Sequence, residues 1–148
     1  MSQAIATLPF SLFASQDYLD RSGTPESPAD LKNCRCLNAS SEIRTTLWKL
    51  KRGKEVAEIT TPVSVIVNDF LTLRNLAITG GGIALLPTYA VHAECASNLL
   101  TAVLPDWDAS SATLSAIYPS RRGATVKQRA FIDHVRDVAE NIVRTLPE

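Results

Sequence analysis

Apolar residues come along this chain in short runs broken by glycine, proline and polar clusters, and the period within each run assigns it to strand or helix. Residues 8–14 are rich in Phe and Leu and stop at Ser15, whose hydroxyl suits the N-cap of a helix through Gln16, Asp17, Tyr18 and Leu19 that Gly23 closes. Ser27-Pro28-Ala29-Asp30 sets a capping serine, a proline at the first helical position and an acid three residues past the cap, which predicts a short helix. Residues 34–39 then read as a strand. Trp48 and Leu50, then 56–60 and 63–67, flank a turn at Lys51-Arg52-Gly53-Lys54, predicting two or three short strands around a hairpin with a solvated tip.

Further along, Asn68 or Asp69 caps a helix with Phe70, Leu73, Leu76 and Ala77 on one stripe, and Gly80-Gly81-Gly82 ends it. The glycines let the chain reverse into an apolar strand over 83–86, which Pro87 stops. Pro87-Thr88 starts another helix containing His92 and Cys95, with Asn98 as a left-handed stop. Residues 100–104 and 114–118 read as strands. Thr125 and Gln128 form a capping box for a last helix with Phe131, Val135, Val138 and Ile142 on one face. Alternating strands and helices predict an α/β sandwich with a largely parallel or mixed sheet flanked by helices.

At 148 residues the chain is one domain's worth, long enough for a real core. Lys plus Arg and Asp plus Glu are 15 each, so the net charge is zero and the basic excess of a duplex-binding surface is missing. The longest apolar runs, 62–67 and 83–87, are too short to span a bilayer, and residues 1–12 lack a basic segment followed by an apolar core. The expected location is therefore the cytoplasm, with no membrane contact. Cys34, Cys36 and Cys95 are odd in number and lack a second ligand pair, which favours reduced structural thiols over a disulfide framework or a metal site.

Few residues suggest chemistry. His92 and His134 sit on predicted helices with no local nucleophile signature, and Asp106 and Asp108 flank Trp107 in a loop as solvated turn residues. Gly80-Gly81-Gly82 follows a helix and precedes a strand, the reverse of a phosphate cradle. No catalytic residue, metal or cofactor is expected, and the chain is read as a non-enzyme. A small hydrolase with a spatially assembled site remains a rival that only a meeting of nucleophile and base in one pocket would support.

In open α/β sheets small molecules lie off the carboxyl ends of strands, where helix N-termini present unpaired amides. Two such joints carry the candidate binding residues: Asn38, Ala39, Ser40 and Ser41 after the second strand, and Asn68, Asp69 and Phe70 at the later one. The alternative is that Asn68 and Asp69 are only caps and 38–41 only a turn. Asp69 would repel an anionic ligand unless it points away.

Several motifs together carry a resemblance. Gly80-Gly81-Gly82-Ile83-Ala84-Leu85-Leu86-Pro87-Thr88-Tyr89, Leu104-Pro105-Asp106-Trp107 and Tyr118-Pro119-Ser120-Arg121-Arg122 resemble, as a set, the effector-binding domain of LysR-type transcriptional regulators. The stretch from Phe10 to Leu19, with Gly23-Thr24-Pro25, Ser27-Pro28-Ala29-Asp30-Leu31 and Arg35-Cys36-Leu37, is similar to that family where the chain enters its second regulatory subdomain. The likeness covers about 5–143; each motif is weak alone, and the order and spacing make the signal.

The resemblance implies a periplasmic-binding-protein-like lobe of type II, with residues from about 12 to 117 forming the second regulatory subdomain. Residues from about 118 to 148 would be the end of the return strand and the C-terminal helix of the first. It also implies a small-molecule effector held in a cleft between subdomains, a hinge at Phe13, Ala14, Ser15, Ile117, Tyr118 and Pro119, and a homodimer. The family's winged helix-turn-helix and the start of its first regulatory subdomain match nothing in this sequence, so the chain is expected to be a truncated fragment that meets DNA only through a separate N-terminal domain. A free-standing small-molecule-binding protein of the same fold is the second reading.

Overall fold

A computed structural model of the chain describes residues 2–39, 46–61, 63–118 and 125–144. They fall into two compact units, Pro9–Ser110 and the pair of segments Met1–Leu8 and Ser111–Glu148. The units part earlier in the sequence than the expected boundaries near residues 12 and 117.

The larger unit is built on a mixed sheet. Its strands are β1 (Ser2–Ala14, which begins in the smaller unit), β2 (Cys36–Ala39), β5 (Val63–Val67), β6 (Ile83–Pro87) and β7 (Thr101–Val103), in the order β5-β2-β6-β1-β7. β2 runs parallel to both β5 and β6, whereas β1 is antiparallel to β6 and β7. Because successive side chains on a strand point to opposite faces, each central strand feeds two cores. Leu12, Cys36 and Ile83 go to one, with Tyr18, Leu31, Trp48 and Leu50. Phe13, Leu37 and Ala84 go to the other, with Leu73, Ala77 and Leu100.

Local signals explain the elements around this sheet. α1 (Gln16–Ser22) starts where the Ser15 side chain accepts the Tyr18 N–H and stops at Gly23, φ 86°. A 3₁₀ turn over Pro28–Asn33 carries the capping box of Ser27 and Asp30. The carboxylate of Asp30 accepts from the Ser27 backbone N–H, the Ser27 hydroxyl and the Glu26 N–H.

β3 (Thr46–Arg52) and β4 (Glu55–Thr61) make the expected hairpin, a separate two-stranded sheet packed against that 3₁₀ turn. Its inward face presents Trp48, Leu50 and Ile59 to the first core.

α2 (Phe70–Ile78) is capped by Asp69 and packs across β6, β2 and β5 with Leu73 and Ala77 fully buried. It ends in a paired hydrogen bond, Gly81 N–H to Leu76 C=O and Gly80 N–H to Ala77 C=O, with Gly80 at φ 80°. This is the left-handed glycine termination that the Gly80-Gly81-Gly82 run called for. The single helix expected after Pro87 is instead a 3₁₀ turn over Thr88–Ala90 and a short α3 (His92–Ala96), separated by Val91, which is buried in the second core. Asn98 takes the left-handed conformation foreseen for it, at φ 58°.

In the smaller unit β8 (Ser111–Ile117) pairs with β1. The helix α4 (Val126–Arg144) opens with the reciprocal bonds of Thr125 and Gln128. Its buried residues are Ile132 and Ala139; Phe131, Val138 and Ile142 are exposed and Val135 is half-buried. The predicted stripe is therefore largely exposed and adjoins the one that turns inward. The apolar arc of α4 is wide enough to offer two adjoining stripes, and periodicity alone does not choose between them.

Candidate functional site

Of the two expected strand-to-helix joints, the one after β5 leads into α2, whereas the next described element after β2 is the strand β3; parallel pairing decides where the two strand ends lie. Asn38 and Ala39 stand opposite Ile66 and Val67 on neighbouring parallel strands, so both chains leave the sheet side by side at its carboxyl edge. β6, parallel to β2, ends at the same edge with Pro87 and Thr88. β1 runs the other way, and its register of Phe10 against Pro87 puts Phe10 there too. One edge thus gathers Asn38, Ala39, Asn68, Asp69, Phe70, Thr88 and Phe10. Ser40 and Ser41 lie outside the described residues.

Asp69 is the N-cap of α2: its Oδ1 accepts the Thr72 N–H at 2.7 Å. The backbone hydrogen bond from Thr72, and then that residue's hydroxyl, hold the carboxyl below the ordinary carboxylate range. It is therefore ionised at neutral pH, and it occupies amide donors that could otherwise have met an anion. Asn68 is exposed and Ala39 half-buried.

Two residues at this edge, Phe10 and Thr88, escaped the sequence reading. The Phe10 and Phe70 rings meet edge to face, with centroids 5.5 Å apart and planes at 67°. The Thr88 hydroxyl donates to the Pro9 carbonyl at 3.4 Å. Finding Phe10 requires the direction of β1, which an apolar run does not encode.

The expected hinge residues divide between the units. Phe13, Ala14 and Ser15 are buried in the larger unit, where Ser15 caps α1. Ile117 and Tyr118 belong to the smaller one, Ile117 being 84% exposed; Pro119 lies outside the described residues. The smaller unit also holds an open apolar groove of about 470 Å³ lined by Ile5, Ala116, Ile117, Lys127, Phe131 and Ile132.

No constellation for chemistry emerges among the described residues. His92 and His134 are exposed, Asp106 and Asp108 are solvent-facing, and no group of three or more metal-binding side chains is present. The three cysteines are unpaired, and burial raises the pKa of each thiol. No described helix is long and apolar enough to cross a membrane.

Comparison with known proteins bears on the family and the fold. The transcriptional regulator PtxR of Pseudomonas aeruginosa is 31% identical over 110 residues, 74% of this chain and 35% of PtxR. The regulatory domain of AphB from Vibrio vulnificus superposes with a TM-score of 0.75 at 25% identity, covering 91% of this chain and 68% of that one. The regulatory domain of CrgA from Neisseria meningitidis superposes at 0.76, with 22% identity, over 93% of this chain and 68% of that one. The fold is accordingly the periplasmic-binding-protein-like type II architecture of these regulatory domains. The chain spans less than half the length of the curated relatives it matches. Residues 2–140 match the LysR substrate binding domain, and the chain belongs to that family.

Proposed function

We propose that this chain senses a small-molecule effector for a LysR-type regulator of transcription, holding it at the carboxyl edge of the larger unit through Asn38, Ala39, Ser40, Ser41, Asn68, Asp69 and Phe70. The observation that supports this reading is the side-by-side exit of β2 and β5 at one sheet edge, beside the N-terminus of α2, in a chain that matches the family over 2–140. In this reading the protein is cytoplasmic, is not an enzyme and works as a homodimer. DNA is contacted through another part of the full-length regulator, consistent with a net charge of zero here.

Effector binding would act by shifting the balance between two arrangements of the units about the crossings near 8–9 and 110–111, which requires tighter binding to one arrangement than to the other. The hinge residues drawn from the resemblance, Phe13 to Ser15 and Ile117 to Pro119, follow those crossings in the sequence.

The test is a comparison of Asn68→Ala and Ser40→Ala in the full-length regulator, reading effector-dependent transcription and melting temperature together. Response should fall further than stability, because the cap of α2 is Asp69 and Asn68 is exposed, and even a lost cap costs only about 1 kcal/mol. Loss of both in proportion would leave these residues a structural role only.

A further inference from the structure

The carboxyl edge of the larger unit has a chemical bias that narrows what it can hold, granted the effector-binding reading above. Phe70 occupies the first position of α2 and leaves 36% of its surface exposed. Neither Phe70 nor its partner Phe10 belongs to either core, so the ring pair is an apolar surface at the mouth of the edge and not part of the packing beneath it.

Charge points the same way. The N-terminus of a nine-residue helix ordinarily attracts anions. Here Asp69 already meets the Thr72 amide at 2.7 Å and sets a negative charge beside the rings. Among the described residues at this edge, Pro9, Phe10, Asn38, Ala39, 67–70, Pro87 and Thr88, there is no cationic side chain. The cation of α2, Arg74, is held by Glu94 at 3.0 Å and by the Ala90 carbonyl at 3.1 Å. An anionic ligand group would meet the charge of Asp69 with no counter-charge among these described residues. A neutral ring would meet two phenyl groups, with the edge-to-face and offset geometries that aromatic side chains favour.

We infer that the ligand of this lobe presents to it an uncharged, ring-bearing face, seated against Phe10 and Phe70. Asp69 serves as a selectivity residue as well as a cap, excluding carboxylates from the position next to the rings.

The experiment titrates the full 148-residue chain, labelled at phenylalanine ring carbons and backbone amides, with three probes followed by NMR. Benzamide and benzoate share size and ring and differ in charge; acetamide lacks the ring. Benzamide should move the Phe10 and Phe70 ring signals and the amides of 68–70, with at least about fivefold tighter apparent binding than benzoate, as expected for one unscreened like charge at a partly desolvated site. Acetamide should leave the rings unmoved.

Asparagine caps helices as well as aspartate does, so Asp69→Asn separates charge from capping: it should bring benzoate up to the level of benzamide without lowering the melting temperature. Phe70→Leu, which keeps an apolar side chain, should weaken benzamide binding. Benzoate binding this edge as tightly as benzamide in the parent chain would overturn the inference and leave the effector site standing. Shifts confined to residues away from 9–10, 38–39, 67–70 and 87–88 would overturn both. Absence of any ring shift at millimolar benzamide also overturns the inference.

Discussion

The guanidinium of Arg52 lies over the ring of Trp107, 4.6 Å from its centroid, and joins the tip of the β3–β4 hairpin to the turn that follows β7. The contact is reinforced on the backbone. Lys51 and Asp108 exchange both hydrogen bonds, N–H to C=O at 2.8 Å and 2.7 Å, and Glu55 pairs with Arg52 at 2.8 Å. To bring Trp107 there, the chain turns at Leu104, which is buried and holds a left-handed φ of 52°. A leucine in that region is strained by roughly 1–2 kcal/mol, so the turn persists because Trp107 and Leu104 both pack against the first core. Trp107→Ala should therefore destabilise the chain by about 2–3 kcal/mol, losing apolar burial and the cation–π contact together. Arg52→Ala should cost only about 0.5–1 kcal/mol. Urea denaturation measures both, and equal costs would mean that Trp107 contributes nothing beyond its cation.

This clamp also shows where sequence reading stops. Lys51-Arg52-Gly53-Lys54 was legible as a hairpin turn, and its side chains are indeed exposed. That Arg52 finds Trp107, far along the chain, depends on tertiary proximity that no local signal carries. Caps were the most legible features: Ser15, the Ser27 and Asp30 pair, Asp69, Asn98, and the Thr125 and Gln128 pair are all local devices within four residues of their partners. The stripe of α4 was less legible, because Phe131, Val138 and Ile142 are as apolar as the residues that turn inward, and the choice is made by what lies opposite. At the candidate site Asn68, Asp69 and Phe70 could be named from the strand-to-helix joint. Phe10 could not, since its place follows from β1 being antiparallel to β6.

Gly82 should be far less tolerant than Gly53, although both have positive φ. A Cβ on Gly82 would fall inside contact distance of the Arg35 backbone carbonyl, the same carbonyl that accepts the Ile83 N–H at 2.8 Å in the link between β2 and β6. A Cβ on Gly53 meets nothing within 4 Å. Gly53→Ala should cost about 1 kcal/mol from backbone conformation alone. Gly82→Ala adds displacement of a sheet strand and should exceed about 3 kcal/mol. Thermal or urea unfolding of the two variants checks the order, and a Gly82 variant as stable as the Gly53 one contradicts the close approach.

The pairing of Arg74 with Glu94 should contribute more than any exposed ion pair described here. Their side chains are 24% and 15% exposed, and Arg74 Nε is buried without a hydrogen-bond partner. Removing the carboxylate leaves a partly buried guanidinium short of its counter-charge, a cost of about 1–3 kcal/mol. The Lys49–Glu58 pair, at 3.4 Å and about half exposed, should contribute about 0–1 kcal/mol. Glu94→Gln and Glu58→Gln, unfolded side by side in urea at low salt, give the comparison. Indistinguishable midpoints would show that water screens the Arg74 pair fully.

Cys36 should behave as a buried apolar residue until strongly alkaline pH. Burial pushes its thiol up to about 12, against 9 for an ordinary thiol, and outweighs the opposing hydrogen bond with Thr61. Burial likewise raises Cys34, with Asp30 adding to the effect, and Cys95, with Glu94 adding to it. The thiolate is the nucleophile, so iodoacetamide at mildly alkaline pH should leave Cys36 unmodified in the native chain. It should label Cys34 and Cys95 more slowly than a free thiol, and all three at similar rates once the chain is unfolded.

The same shift fixes the direction of the pH dependence. Below pH 9 the Cys36 thiol is protonated in both the folded and unfolded chain, and its contribution to stability is fully present. Between 9 and about 12 only the unfolded chain loses the proton, so stability falls with rising pH and levels off once the folded thiol ionises as well. Cys36→Ala lacks this loss. The stability advantage of the parent chain over the variant should therefore shrink as pH rises from 9 toward 11, and a difference that stays constant across that window would mean the thiol is not held neutral by burial.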